Sequence, residues 1–309
     1  MSSLSLFPVP QDIETEVFAR LPDAFRMPGR PSDWLIGQLR GQDLACLLEG
    51  PTFDRAGNLF VVDVAHGRIF RIDREGAFHL LCKYDGEPNG LALHRDGRMF
   101  VADHKNGIMV LDTETGHIVP FFDRPRLERF KGVNDLTFSM SGDLYFTDQG
   151  QTGLQDPTGR VYRLSPDGTL ECLLSNVPSP NGLVLAPDET SLYVAATRAN
   201  GIWRAPFMLD GTPSKVGLFI QLSGLGGPDG MAMDQAGGLA IAHIDLGTVW
   251  IFDRRGEPKY RVRSCDGMKT TNIAYDPSDP TMLYITEAEA GVVLRARVPT
   301  PGAALFSHG

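Results

Sequence analysis

Six polar residues recur at one place in a repeating pattern: Glu49, Asn89, Asn134, Asn181, Asp229 and Asn272. Each leads a short apolar run, then a turn, then a second apolar run, as in EGPTFDRAGNLFVVD from Glu49 and NGLALHRDGRMFVAD from Asn89. The set holds two carboxylates and four amides, with no Lys or Arg at an equivalent position. Gathered away from water, two carboxylates without a cationic partner are strongly unfavourable. A divalent cation resolves the conflict, because the carboxylates offset its charge and amide carbonyls complete an oxygen shell. Such a shell favours Ca²⁺, with Mg²⁺ or Mn²⁺ acceptable and Zn²⁺ less natural. Any single Asn could instead cap the loop before it. Glu49 resists that reading, since Glu caps poorly.

The spacing says which elements must bring the six together. Their separations are 40, 45, 47, 48 and 43 residues, a period typical of circular β arrays. Each unit opens with a hairpin pattern, two apolar runs around a turn rich in Asp, Gly, Asn or Pro. Two further strand-like segments usually follow, such as RIFRID (68–73) and AFHLLCKY (77–84). Four antiparallel strands repeated radially make the blade of a propeller. The expectation is an all-β, six-bladed β-propeller over residues 1–309, with the lead residues on the strands lining its central channel. An N-terminal extension of about 1–44 would include a ring-closing strand, ETEVFARL (14–21), against VVLRARV (292–298). Only a short helical turn near 32–39 breaks the β pattern.

A second set lies where the second strand of each unit ends: Asp63, Asp103, Asp148, Thr197, His243 and Glu287. Acids in such places commonly cap turns. His66, His104 and His243 could contact a ligand but do not recur at ligand spacing. The net charge of −9 offers no basic footprint for nucleic acid. No apolar run approaches the ~18 residues of a membrane span. Cys46, Cys82, Cys172 and Cys265 form no CxxC pair and read as small buried thiols in a reducing cytosol. MSSLSLFPVPQDIETE carries no evident secretory leader, so the expected location is cytoplasmic. GxSxG, HExxH and P-loop motifs are absent, and GLGGPDG (224–230) lacks the spacing and helix of a nucleotide fingerprint.

The motifs LLEGPTFD (47–54), VNDLTFSMSGDLYFTD (133–148), SPNGLVLAPDETSLYVA (179–195), GGPDGMAMDQAGGLAIA (226–242) and TNIAYDPSDPTMLYITEA (271–288) occur in order. In this they resemble the gluconolactonase/senescence-marker-protein (regucalcin) family, across about residues 45 to 298. The resemblance implies a metal site of Glu49, Asn181 and Asp229, with Asp229 also the base. It implies that Asn134 joins the metal shell or contacts substrate. Asn89, Asn272 and His104 are the further candidates for substrate contact. One departure stands out: sugar-lactone members place an Arg two residues before the ND Asn, where this chain has Gly132.

The chemistry implied is hydrolysis of a small lactone, sugar-derived or hydrophobic, with the cation polarising the carbonyl and Asp229 handling the proton of water. Alternatives are a non-catalytic, metal-stabilised propeller that binds a ligand on its rim, and a phosphotriesterase-like hydrolase with a wider, more apolar mouth. The segments 25–41 and 149–159 are either lids over the pocket or plain surface loops. The cations of RPRLERFKG (124–132) either steer an anionic lactone or coat a solvated loop.

Overall fold

Each hairpin signal in the sequence marks the inner half of a blade. In the computed structural model, which describes residues 9–309, six antiparallel sheets are arranged as a propeller. Their innermost strands are Leu48–Phe53, Pro88–Leu93, Val133–Phe138, Pro180–Leu185, Gly227–Met233 and Thr270–Tyr275. Neighbouring innermost strands touch in that order, and the sixth touches the first, which closes the ring. Blades 1 to 6 are named from these strands. Residues 1–8, part of the stretch read above as lacking a leader, lie outside the described residues.

The second strand of each blade is nearly continuous in apolar residues because both of its faces meet protein. Leu59–Asp63 and Met99–Asp103 are buried throughout. Outer strands keep a solvent face, as Phe78–Lys83 does. The core accordingly lies between blades: Tyr145, Val161 and Leu174 of blade 3 pack on Leu183, Leu192 and Val194 of blade 4. Cys46 and Cys82 are buried, whereas Cys172 and Cys265 are exposed, which corrects the expectation of four buried thiols. Cys172 falls on the solvent face of an outer strand, and Cys265 in the turn beyond another.

Blade 6 draws three strands from the C-terminal part of the chain and its outermost from the N-terminal part. Glu16–Arg20 pairs antiparallel with Val292–Arg297. Just before it, Gln11–Glu14 runs parallel to Pro258–Arg263 as a fifth strand of blade 5. One short segment thus joins two blades at their outer edges, with Leu21 fully buried behind it. Deleting residues 1–20 is expected to lower the melting temperature by at least ~10 °C, given ~2–4 °C per kcal/mol in chains of this size. An unchanged melting point would show that the pairing does not hold the ring.

Candidate functional site

All six lead residues sit on innermost strands, and each keeps between 3% and 8% of its surface exposed. What aims them is a register shift in every innermost strand: between Glu49 and Thr52, Pro88 and Leu91, Val133 and Leu136, Pro180 and Leu183, Pro228 and Met231, and Thr270 and Ile273. A bulge of this kind rotates the strand locally and redirects a side chain. In four blades the residue after the lead is Gly, and crowding explains why. A Cβ on Gly50, whose φ is +55°, would lie 2.2 Å from the Asn89 carbonyl oxygen. One on Gly230 would lie 1.9 Å from Asn272 Oδ1. Blade 3 breaks the pattern with Asp135, and blade 6 with Ile273.

The channel has two unlike ends. At one, a cavity of about 500 Å³ is lined by Glu49, Asn89, Asn134, Asn181 and Asp229, with Thr271 beside them. At the other, an apolar space of about 200 Å³ lies among Phe53, Leu93, Phe138 and Met233, covered by the C-terminal residues 303–307. Asp135 and Asn272 line this far space. Within the channel, Asn272 Nδ2 donates to Glu49 Oε2 at 2.9 Å and more weakly to Asp135 Oδ2 at 3.4 Å. The Gly50 amide donates to the same Glu49 oxygen. Asn134 Nδ2 donates to Gln149 Oε1 at 3.1 Å, while its Oδ1 is buried with no donor within reach among the described residues.

Electrostatics sets this centre apart from an ordinary polar core. Burial raises all three carboxyl groups: Asp229 is pushed up to about 8 and Asp135 to about 7, and Glu49 lies well above its usual range. Mutual repulsion adds to burial, since Asp229 and Asp135 raise Glu49, and Asp135 raises Asp229. Against this act the Asn181 amide and the more distant charge of Arg198 on Asp229. Among the described residues, no group of three or more His, Cys, Asp and Glu side chains is arranged to hold a metal ion. A cation here would have to draw on amide oxygens as well. The residues fit that demand: two carboxylates short of positive charge, the Asn181 amide beside one of them, and the orphaned Asn134 Oδ1.

Asp135 is not a lead residue but the one that follows it, so the repeat of lead positions does not single it out. Its signal was the missing glycine of the X-Gly pattern. His104 lies one layer behind the cavity wall: its Nε2 is 3.2 Å from the Gln38 amide nitrogen and its Nδ1 3.0 Å from Glu87 Oε2. It also explains Gly132, because a Cβ there would lie 2.3 Å from His104 Nε2. His66 and His243 do not line the cavity either, and His243 Nε2 faces the Leu225 carbonyl at 3.0 Å.

The four carboxylates of the second set accept from loop amides, Asp148 from that of Gly132, whereas Thr197 lines the cavity. Asp103 accepts from Tyr84 Oη at 2.6 Å and from the amides of Lys105 and Asn106. Glu287 accepts from the amides of Lys269 and Ala290. Asp63 accepts from the Leu47 amide at 2.8 Å and pairs with the guanidinium of Arg68, both side chains being fully buried. Removing one partner of such a pair leaves an uncompensated charge. Arg68→Met is therefore expected to cost about 3–5 kcal/mol in denaturant unfolding. Adding Asp63→Asn should recover part of the loss.

Two segments wall the cavity. The helix Asp33–Leu39, capped by Ser32 Oγ accepting from the Leu35 amide, contributes Trp34, Gln38 and Leu39. The segment after blade 3's second strand contributes Gln149 to Thr152, Leu154 and Gln155. The cationic run 124–132 stands apart from the wall, with Arg124 paired to Asp123 and Lys131 Nζ bonded to Thr158 Oγ1.

Comparisons with known proteins agree with this architecture. The lactonase drp35 of Staphylococcus aureus (strain USA300) is 33% identical over 222 residues, 68% of each chain. The gluconolactonase of Zymomonas mobilis is 34% identical over 232 residues, covering 69% of this chain and 64% of that protein. Among solved structures, a calcium-binding regucalcin from Agrobacterium tumefaciens superposes with a TM-score of 0.77 at 22% identity, covering 97% of this chain and all of the other. A gluconolactonase from Xanthomonas campestris gives 0.73 at 23% identity, with 96% and 99% covered. Residues 47–289 match the SMP-30/gluconolactonase/LRE-like region, and the chain belongs to that family.

Proposed function

We propose that this protein hydrolyses a small lactone at the polar end of its channel. The observation that carries the reading is the pair of buried carboxylates, Glu49 and Asp229, at the floor of a cavity of about 500 Å³, with no Lys or Arg bonded to either among the described residues. Lactonase and gluconolactonase relatives above 30% identity support it. Glu49, Asn181 and Asp229 would hold a divalent cation, with Asn134 Oδ1 as a further donor. Ca²⁺ suits this oxygen set best, and the calcium-binding structural neighbour supports that choice. Bound there, the ion supplies the positive charge that polarises a lactone carbonyl.

The chain's own groups do the rest. Asp229 accepts a proton from the water that adds to the carbonyl carbon, and gives it to the ring oxygen as the C–O bond breaks. The product is a hydroxy acid. The amide of Asn89 lines the cavity and orients the ester group. Trp34, Leu39 and Leu154 cover the ring and exclude bulk water, as lids would. Four free cysteines fit a cytoplasmic setting.

A pH-stat screen of aldonolactones and aryl lactones tests the reading, with Ca²⁺, Mn²⁺ or Zn²⁺ returned after chelation. Metal-dependent acid release is the expected result. A metal-dependent rise in melting temperature without turnover on any lactone would assign the site to ligand binding instead.

A further inference from the structure

We propose that Arg198 selects lactones that carry a carboxylate beside the ring; the inference rests on the lactonase reading of the same site. Counting the charges on the cavity wall leads to it. On this wall Glu49 and Asp229 contribute two negative charges, which a divalent cation would cancel, while Asp135 lines the far space instead. Lys269 Nζ is held by Asp245 Oδ1 at 2.7 Å, and that pair cancels too. Arg198 remains, with no ion pair or hydrogen bond to its guanidinium among the described residues. One uncompensated positive charge therefore lines the pocket of a chain whose net charge is −9.

Its place in the fold is fixed by the site. Arg198 lies in the single turn Thr197–Ala199 that follows blade 4's second strand. Thr197 Oγ1 donates to the Pro228 carbonyl at 2.8 Å, which fastens this turn to the residue before Asp229. A guanidinium so placed presents paired N–H donors to a planar anion, and a carboxylate is the anion whose two oxygens match them. The neighbouring wall, with Gln149, Gln151 and Gln155, supplies neutral donors and acceptors but no second free cation. Arg198 is exposed, so its grip acts on a substituent at the mouth rather than on the reacting carbonyl at the floor.

The test compares γ-carboxy-γ-butyrolactone with γ-valerolactone, in which a methyl group replaces the carboxylate, using the calcium-loaded protein. The wild type should prefer the carboxylate. Arg198→Gln should raise KM for that substrate about tenfold with kcat nearly unchanged, a loss of ~1.4 kcal/mol. Its kcat/KM for γ-valerolactone should move less than about twofold, and Arg198→Lys should restore part of the discrimination. An equal loss on both substrates, no loss on either, or a wild-type preference for γ-valerolactone overturns the inference while leaving the lactonase reading intact. If the wild type hydrolyses neither, the lactonase reading is what weakens, and thermal melts decide the role of Arg198. A rise in melting temperature with γ-carboxy-γ-butyrolactone that Arg198→Gln abolishes supports it; no rise in the wild type overturns it.

Discussion

Asp229→Asn is expected to lower kcat/KM for lactone hydrolysis by at least ~10³, because in the proposed site it removes a proton acceptor and a metal-binding charge together. Glu49→Gln should fall almost as far through the second of those effects alone. Neither loss would come from misfolding, and stability measurements can establish this. In the metal-free wild type, burial and the Asp135 carboxylate already oppose ionisation of Asp229. Replacing it by the neutral amide removes that repulsion, so the chelated Asn variant should melt at or above the chelated wild type. What the variant should lose is the gain in melting temperature on adding Ca²⁺. Full activity in either variant would remove Asp229 or Glu49 from the centre. A collapse of the metal-free fold would instead make the residue structural.

Six blades and six lead residues were readable from the chain because both depend on local repetition. A hairpin writes its apolar alternation into about fifteen consecutive residues, and a ring of equivalent strands brings equivalent residues to one axis. The N-terminal pairing with 292–297 was readable for a similar reason, as a strand pattern left over at one end of the chain. The parallel strand Gln11–Glu14 was not, because a four-residue edge strand has too few alternations to stand out. Nor were the bulges, since a register shift is a relation between two strands and leaves no period in either. Asp135 and Arg198 belong to a third class. Asp135 occupies a position that is glycine in four other blades, and it becomes meaningful only once the crowding around Gly50 and Gly230 is known. In the sequence Arg198 is one of 29 Lys and Arg residues, and it stands out only beside the pairing of Lys269 and the distance of the 124–132 run from the cavity wall.

The acids of the channel also fix how stability must respond to pH and to calcium, and the two responses have opposite signs. In the metal-free protein Asp229 is raised to about 8 and Glu49 is raised with it. Unfolded, both groups would titrate near ~4. Between those values the native state holds protons that the unfolded chain has released, so stability falls as pH rises across the window and levels off above it. The chelated protein should therefore melt roughly 5–10 °C lower near ~pH 8.5 than near ~pH 5.5, for a difference of a few kcal/mol. Other groups titrate over the same range, and the Glu49→Gln/Asp229→Asn double variant subtracts them, because it should lack this component of the fall. At the proposed site calcium would compete with the same protons, so its stabilisation should grow with pH. At a thousandfold excess over Kd it would be worth about 4 kcal/mol. Melts in chelator and in calcium, at both pH values and for both proteins, give all the terms needed. A calcium effect that shrinks as pH rises, or a double variant that loses stability in parallel with the wild type, would mean that the proton sites and the cation site are not the same carboxylates.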